Sequence, residues 1–433
     1  MTAYASSSVI NVPDDYPTIQ SAINNATTGD TILVAGGTYN EHLTINKSIA
    51  LVGAGIGLTI LNGTLVATAI QITTDNVTVK GFTIQKFKTG ITINKSQNIF
   101  ITENQITQMW TKGATYVLNS KNITLNNNTI TNNNSPAINM LNSNLTKFFQ
   151  NNITHNVGVG IYFENCTDFT AADNQIESNG GDAICCTYAY NLYITRNTFA
   201  LNDYRGIWAV NSNGTVFHNN FVRNRENARN IKSNITWDNG YPAGGNYWSN
   251  YTGSDLFYGI NQSLVGSDGA GDTPFTIPQE DERDRYPLMG NFTTRTVALD
   301  AQNYKIDFVS NSITNSLYIN QSEKSLCFAI NNLDKIEGFC RVTAPTSLMW
   351  CDTPDEWTVN VNGTLTQRNI NQTTNYTYIY FTFTQGIQPV KITATYIAPE
   401  NVSLDLIILL TCAVLVAIYA RQRPKGKKAH AVP

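Results

Sequence analysis

Asn104-Gln-Ile106 is the first of six segments that place an asparagine two residues before an apolar residue, and this repeat decides the fold. The others are Asn128-Thr-Ile130, Asn151-Asn-Ile153, Asn174-Gln-Ile176, Asn197-Thr-Phe199 and Asn219-Asn-Phe221. Successive asparagines are 24, 23, 23, 23 and 22 residues apart. A second column keeps the same register with small residues: Gly90, Ala114, Ala137, Gly160, Ala183 and Gly206. Self-similarity at this period indicates a solenoid.

The residues between these columns predict strands. Short alternating runs, such as Ile99-Phe-Ile-Thr102 and Ile161-Tyr-Phe163, are separated by Asn, Gly, Asp and Ser, which is the pattern of strand and turn. We therefore predict an all-β protein whose residues 9–238 form a parallel β-helix with coils about 4.8 Å apart. The stacked asparagine amides would form a hydrogen-bonded ladder at one corner. The small residues would mark another bend, where a larger side chain clashes.

The N-terminal residues predict a cap on this solenoid. Ile19, Ala22, Ile23 and Ala26 have helical spacing, so we expect a short amphipathic helix that covers the open end of the first coil. Residues 1–8 lack the charged and apolar regions of a signal peptide. Their small-residue run nevertheless resembles the end of one, and we interpret these residues as a remnant.

The composition favours an extracytoplasmic protein that does not bind nucleic acid. The 433 residues carry a net charge of −3, and 14% of them are charged, against about 25% in an average protein. No basic run precedes Arg421, which argues against nucleic acid as a partner. Sequons outside the repeats predict N-glycosylation. They begin at Asn250, Asn261, Asn291, Asn320, Asn371 and Asn375.

Several segments resemble known β-helix proteins. Tyr16-Pro-Thr-Ile-Gln-Ser-Ala-Ile23, Gly29-Asp-Thr-Ile-Leu-Val34, Gly37-Thr-Tyr-Asn-Glu41 and Lys47-Ser-Ile-Ala-Leu-Val-Gly-Ala-Gly55 look like the start of pectin-lyase-like right-handed β-helix proteins. The coil repeats, with Gly245-Asn-Tyr-Trp-Ser249, Gly271-Asp-Thr-Pro-Phe275 and Asp284-Arg-Tyr-Pro-Leu288, resemble NosD-type periplasmic proteins and surface proteins of archaea. The resemblance covers about residues 9–290. It implies a right-handed helix, and its members range from sugar-cleaving enzymes to proteins without chemistry.

The chain departs from this family where chemistry is concerned. Polysaccharide-cleaving enzymes need clustered carboxylates, but no coil holds an Asp-Asp pair. Copper handling, the role implied by NosD, would need clustered Met, His or Cys ligands. The histidines, His42, His155, His218 and His430, are scattered, as are the five methionines. We therefore assign no catalytic residue.

Stacking the coils brings candidate binding residues together. Asp173 and Arg196, and likewise Asp182 and Arg205, occupy the same columns of adjacent coils. One interpretation is exposed ion pairs, which contribute about 0–1 kcal/mol each. The other is a carbohydrate-binding groove, because the outward column reads Thr92, Tyr116, Asn139, Tyr162, Cys185 and Trp208, with Tyr188 and Tyr190 nearby. The predicted binding residues are Tyr162, Trp208, Tyr188, Asp182 and Arg205.

Residues 239–295 predict a loop-rich segment that closes the last coil. Within it, Ser267-Asp-Gly-Ala-Gly-Asp272 concentrates carboxylates and glycines, and Asp255 could join them. Asp255, Asp268 and Asp272 would offer the oxygen ligands that calcium prefers. The alternative is a turn in which the carboxylates accept hydrogen bonds from backbone amides.

The remaining residues predict a second domain and a membrane anchor. About seven short strands in residues 296–398 suggest an immunoglobulin-like β-sandwich. Its cysteines, Cys327, Cys340 and Cys351, allow one disulfide, whereas Cys186 should point into the β-helix core. Residues 402–420 are long and apolar enough to span a bilayer as a helix. The basic residues in 421–433 place that tail in the cytoplasm and the domains outside.

We accordingly expect a single-pass cell-surface protein whose β-helix acts in recognition or structure, with glycans or other surface proteins as partners. The alternatives are a polysaccharide lyase or hydrolase and a NosD-like copper-maturation accessory.

Overall fold

The computed structural model describes residues 7–278, 281–333 and 337–398. The first of these ranges winds into a parallel β-solenoid of about ten coils. Each full coil adds one strand to each of three parallel sheets, here called faces A, B and C in the order of the chain. The predicted β-helix is therefore confirmed.

Face A consists of Val9–Val12, Thr31–Val34, Ala50–Gly53, Val77–Lys80, Gln97–Thr102, Lys121–Asn126, Asn144–Phe149, Thr167–Ala172, Tyr190–Thr195, Asn213–Phe217 and Asn234–Thr236. Face B consists of Gly37–Tyr39, Thr59–Asn62, Thr83–Gln85, Gln105–Thr107, Thr129–Thr131, Asn152–Thr154, Gln175–Glu177, Thr198–Ala200, Asn220–Val222 and Tyr247–Trp248. Face C consists of Leu43–Ile45, Thr68–Ile72, Thr89–Asn94, Thr115–Leu118, Ile138–Leu141, Ile161–Glu164, Ile184–Thr187, Arg205–Val210 and Glu226–Ile231.

The predicted asparagine ladder runs along the corner between faces A and B. Asn174 Oδ1 accepts hydrogen bonds from the backbone N–H and the side-chain amide of Asn151, both at 2.9 Å. The amide of Asn174 in turn donates to Asn197 Oδ1 at 2.9 Å. The ladder continues past the sequence repeats, since Asn219 donates to Asn246 Oδ1 at 3.0 Å. It therefore fixes the angle between the two faces through the length of the solenoid.

A second asparagine ladder, which the sequence analysis missed, lies where face B ends. Its members are Asn133, Asn156, Asn179, Asn202 and Asn224. Each of the first four donates its backbone N–H and its amide to the next member. The same period of 22–23 residues was visible in the sequence.

Small residues are required where face C begins. A Cβ added to Gly160 would lie 2.6 Å from Ala183 O, and one added to Gly206 would lie 2.4 Å from Asn227 O. The interior is filled by stacked apolar residues, such as Ile153, Ile176 and Phe199 on face B, all fully buried. Cys186 takes the inward position that Phe163 holds one coil earlier, as predicted.

The N-terminal cap is a helix, Ile19–Asn25, and the prediction of a capping helix is confirmed. Ile19, Ala22 and Ile23 are buried against the first coil. The Thr18 side chain caps the helix N-terminus, and the Glu41 carboxylate accepts the N–H groups of Ile19 and Gln20. Both satisfy amides that a helix start leaves without partners.

The structure places the end of the β-helix later than residue 238. Tyr247–Trp248 pairs with Asn220–Val222 and completes face B. The closing segment that follows packs aromatic rings on the last coil, with Trp248 stacked between Phe221 at 4.2 Å and Phe275 at 4.4 Å. It contains two short hairpins, Phe257–Tyr258 with Leu264–Val265 and Phe275–Thr276 with Arg283–Asp284.

Residues 291–398, here called the two-sheet domain, form two antiparallel sheets around a separate core. The first sheet has the order Asn291–Leu299, Gln302–Ser310, Gly338–Pro345, Tyr376–Phe383, Arg368–Gln372. The second has the order Ile313–Asn320, Ser325–Asn332, Gly386–Thr393, Thr358–Val361, Thr364–Leu365. Met349–Trp350 pairs with Tyr396–Ile397, and a short 3-10 helix covers Pro354–Glu356.

The immunoglobulin-like prediction is wrong in topology. An immunoglobulin constant domain joins its first, second, fifth and fourth strands in one sheet. Here the third and fourth strands form a hairpin in the other sheet, and the fourth pairs with Gly386–Thr393. Strand propensity and turn spacing predicted the strands, but the pairing depends on long-range contacts that sequence spacing does not encode.

The three cysteines of this domain, Cys327, Cys340 and Cys351, could have formed one disulfide, but all carry free thiols. Cys340 and Cys351 lie in the core between the sheets. Cys327 follows the core residue Leu326 in its strand and therefore faces the other side, beside Tyr318.

In residues 7–278, 281–333 and 337–398, no helix is long and apolar enough to cross a membrane. The predicted membrane span, 402–420, and the predicted cytoplasmic tail, 421–433, lie outside the described residues.

Candidate functional site

The candidate site is the outer surface of face C, where the predicted column is confirmed. The strand register aligns Thr92 with Tyr116, Asn139, Tyr162, Cys185 and Trp208 in successive coils. The predicted column ended at Trp208, but the strand pairing of face C extends it to Arg229. Cys185 is buried, whereas the other members are half-buried. The column therefore forms an outward stripe parallel to the solenoid axis.

Large rings and smaller side chains alternate along this stripe. Tyr116, Tyr162 and Trp208 occupy every second coil, with Asn139 and Cys185 between them. Since coils stack about 4.8 Å apart, consecutive rings are about 10 Å apart. The rings therefore form a regularly spaced row along the stripe.

Polar atoms without partners lie on the same surface. Asn94 Oδ1, Asn139 Oδ1 and Trp208 Nε1 are buried and have no hydrogen-bond partner among the described residues. Buried polar groups are nearly always satisfied in folded proteins. Neighbouring side chains already cover these three atoms, so they mark incomplete hydrogen bonding within face C and are not offered to a ligand on its surface.

A chain of charges closes one end of the stripe. Arg205 contacts Asp182 Oδ1 at 3.4 Å and Glu226 Oε2 at 3.0 Å, and Glu226 also pairs with Arg229 at 2.9 Å. The Arg205 guanidinium lies over the Trp208 ring at 4.8 Å, which orients the ring by a cation–π contact. Arg205, Glu226 and Arg229 line a cleft of about 430 Å³ together with Tyr204 and Arg225.

The interpretation of Asp182 and Arg205 as an exposed ion pair is wrong. The Asp182 side chain is only 7% exposed and that of Arg205 is 20% exposed. Burial raises the pKa of Asp182, although hydrogen bonds from Arg205 act in the opposite direction. Asp173 and Arg196 also form an ion pair, at 2.8 Å, but they lie on the corner between faces A and B.

Tyr162 is held in place by its neighbours. Its hydroxyl donates to Glu164 Oε2 at 2.8 Å. Burial, together with this hydrogen bond, raises the pKa of Tyr162 to about 12. The hydroxyl therefore stays protonated at neutral pH, and the ring is fixed on the surface of the stripe.

The structure brings four of the five predicted binding residues to one surface. Asp182, Arg205 and Trp208 cluster at its end, and Tyr162 lies two coils away. Tyr188, the fifth predicted residue, is 46% exposed and lies on the turn from face C to face A, at the edge of face C. Glu226 and Arg229 were missed although their strand directly follows the Asn219-Asn-Phe221 segment. The step from Trp208 to Arg229 is 21 residues, shorter than the 23 or 24 residues between the earlier members of the column.

The carboxylates of the predicted calcium loop are engaged by the loop itself. Asp255 accepts the N–H groups of Asp268 and Gly269, at 3.0 and 2.8 Å. Asp272 accepts those of Leu256 and Phe257. Among the described residues, no group of three His, Cys, Asp or Glu side chains is placed to hold a metal ion. The structure favours the hydrogen-bonded turn, and calcium binding stays a prediction for titration.

The predicted glycosylation sites differ in accessibility. Asn250, Asn261, Asn291 and Asn375 are exposed. Asn320 and Asn371 are half-buried, and their amides donate to Glu323 and to the Tyr241 hydroxyl. A glycan on either of the latter two would have to break that hydrogen bond.

Comparison with known proteins identifies the fold. The family of right-handed beta helix regions matches residues 68–222. A search of curated proteins gives no significant match.

Similar solved structures are distant in sequence. Tailspike protein 2 of bacteriophage CBA120, an enzymatically active domain, is 13% identical, with 91% of this chain and 77% of that chain covered and a TM-score of 0.42. Family 28 exopolygalacturonase of Yersinia enterocolitica is 12% identical, covering 58% and 68%, with a TM-score of 0.42. ORF18 of Geobacillus virus E2 is 14% identical, covering 78% and 73%, with a TM-score of 0.38. The segment 68–222 is thus similar to right-handed beta helix regions, and the solenoid has this all-β fold.

Proposed function

We propose that face C binds an extended polysaccharide whose chain runs along the stripe from Tyr116 to Trp208. The observation that carries this proposal is the alternation of Tyr116, Tyr162 and Trp208 with smaller residues along one half-buried outward column. Aromatic rings stack on the apolar faces of pyranose rings.

The spacing of the rings supports a polymer. Rings about 10 Å apart match the repeat of a disaccharide unit in an extended chain, so three rings would contact alternate sugars over several units. The Arg205 and Arg229 guanidinium groups at one end could also bind carboxylate groups of an acidic polysaccharide. Glu226 and Asp182 fix these guanidinium groups in position.

The test is binding of the purified full-length protein to a polysaccharide array, with analysis of the products from every ligand that is retained. We expect retention without shortened products, lost in Trp208→Ala and in Tyr162→Ala. Phe100→Ala is the matched control, because Phe100 is an exposed ring on face A. Retention that survives both stripe substitutions would refute the proposal.

A second candidate is cleavage of the same polysaccharide. It is favoured by Asp182 and Glu226, whose carboxylates contact the same guanidinium group and therefore lie close together. Glycoside hydrolysis uses a pair of carboxyl groups that flank the scissile bond. Release of shorter products by the wild type, abolished in Asp182→Asn and in Glu226→Gln, would establish this activity.

We further propose that the protein is anchored by residues 402–420 with its β-helix outside the cell. The support is the length of that apolar segment and the basic residues that follow it. Protease added to intact cells should degrade the β-helix and spare a tag on the C-terminus. Protection of both would contradict the proposed topology.

A further inference from the structure

A cleft lies at the junction of the β-helix and the two-sheet domain, away from face C. Two adjoining cavities of about 370 and 310 Å³ share Arg196, His218, Asp307 and Tyr376 in their walls. Arg196 and His218 belong to the β-helix, whereas Asp307 and Tyr376 belong to the two-sheet domain. The cleft therefore exists only because the two domains pack together.

The junction holds these walls at a fixed separation. Asn220 exchanges two hydrogen bonds with the backbone of Phe292, at 2.9 and 2.7 Å. The His218 ring stacks on Phe292 at 4.2 Å, and its Nε2 lies 3.1 Å from Ala243 O. Arg341, which is buried, donates to the same carbonyl at 2.9 Å. A site formed by such rigid contacts needs little rearrangement on binding.

The polar groups of the cleft retain unused hydrogen-bonding capacity. Arg196 binds Asp173 through Nε and Nη2, at 2.8 and 3.0 Å, so its Nη1 has no partner among the described residues. Asp307 Oδ1 accepts from Thr294 at 2.6 Å, and its Oδ2 likewise has no partner there. A donor on one domain and an acceptor on the other thus border the same space.

Aromatic side chains supply the rest of the walls. Tyr193 on the β-helix is 45% exposed, and Tyr376 on the two-sheet domain is 44% exposed. Tyr304 and Tyr378 also line the cavities. The site combines exposed rings with Asp and Arg groups that can bond vicinal hydroxyls, and it is bounded rather than open along the solenoid axis.

We propose that this junction cleft binds a single pyranose unit, such as the end of a glycan, independently of the polysaccharide stripe on face C. The Arg196 guanidinium and the Asp307 carboxylate would bond its hydroxyl groups from opposite sides, and Tyr193 and Tyr376 would contact its ring. Arg196 is paired with Asp173, and Lys305 and Asp307 also line the cleft with opposite charges. This balance of two cations and two anions favours a neutral sugar over an anion.

The experiment is saturation-transfer NMR and calorimetric titration of the full-length protein with glucose, galactose, mannose, N-acetylglucosamine and glucuronate. At least one neutral sugar should bind, and Tyr193→Ala and Tyr376→Ala should each weaken its affinity about tenfold. Tyr190→Ala is the matched control, because Tyr190 is an exposed tyrosine of the same strand as Tyr193 but outside the cleft.

Two further variants distinguish the junction cleft from face C. Asp307→Asn should weaken sugar binding, whereas Trp208→Ala should leave sugar binding unchanged. Thermal melts will show that each variant is folded. Binding of none of the five sugars would overturn the proposal. Binding that responds only to Trp208→Ala would assign the sugar to face C and would equally overturn it.

Discussion

Asn174→Ala tests whether the asparagine ladder holds the coils together. The Asn174 amide donates to Phe148 O at 2.8 Å, Ala172 O at 3.1 Å and Asn197 Oδ1 at 2.9 Å. Its oxygen accepts both the backbone N–H and the amide of Asn151. Alanine would remove all five contacts and leave a buried space that is too small to solvate the groups left behind.

The expected cost follows from the groups that lose their partners. The backbone N–H of Asn151 loses the acceptor assigned to it, and one amide hydrogen of Asn151 is left unpaired in the interior. An unsatisfied buried donor costs about 1–3 kcal/mol. We expect Asn174→Ala to lower the free energy of unfolding by about 3–4 kcal/mol in total.

The assay is urea unfolding followed by far-ultraviolet circular dichroism, with Gln175→Ala as the matched control. Gln175 is the next residue, but its side chain is exposed and bonds only Glu177. We expect that change to cost less than about 0.5 kcal/mol. If both variants unfold within about 1 kcal/mol of each other, the ladder does not stabilise the solenoid and the reasoning fails.

Three other perturbations probe the closing segment and the junction. Burial raises the pKa of Asp255 and of Asp284 to about 7 from an ordinary value of 3.8. Below pH 7 the folded chain therefore binds protons that the unfolded chain releases, so the free energy of unfolding should fall as the pH rises through 7. A urea midpoint that rises from pH 5.5 to pH 8.5 would contradict this. Arg341→Met should cost about 1–3 kcal/mol, because the buried guanidinium donates to Pro242 O and Ala243 O, which would lose this donor. Limited proteolysis should then cut near the junction, and a wild-type digestion pattern would refute this role. Millimolar CaCl2 should leave the melting temperature unchanged, because the Asp255 and Asp272 carboxylates already accept hydrogen bonds from backbone amides. A rise in the melting temperature that Asp272→Asn abolishes would instead support the calcium prediction.

Local regularities made the β-helix predictable. Each coil repeats the same contacts, so a column in the sequence becomes a column in space, and Asn104 through Asn219, Cys186 and the stripe from Thr92 to Trp208 all lie where their register indicates. The final coil was missed because Asn246 follows Asn219 after a longer interval that contains a loop. Arg229 was missed because it follows Trp208 after 21 residues, a shorter step than in the earlier coils.

The two-sheet domain was less predictable for a related reason. Its strands alternate in the expected way, but Ser325–Asn332 pairs with Gly386–Thr393 across a long stretch of sequence. The predicted immunoglobulin strand order failed on this account. Cys327 was counted as a disulfide candidate because sequence shows spacing and not the face on which a thiol lies.

The repeat pattern alone was enough to predict the solenoid, its period, its ladder and the outward stripe of face C, because in a repeating coil every contact is made with the neighbouring coil at a fixed separation along the chain. Which charges meet and which atoms remain unpaired depends on the side-chain positions in the folded protein. Arg205 pairs with both Asp182 and Glu226. Trp208 Nε1 has no hydrogen-bond partner among the described residues. Both facts depend on where the side chains lie within the coils. The junction cleft, where Arg196 faces Asp307, depends on the packing of two domains that no repeat relates.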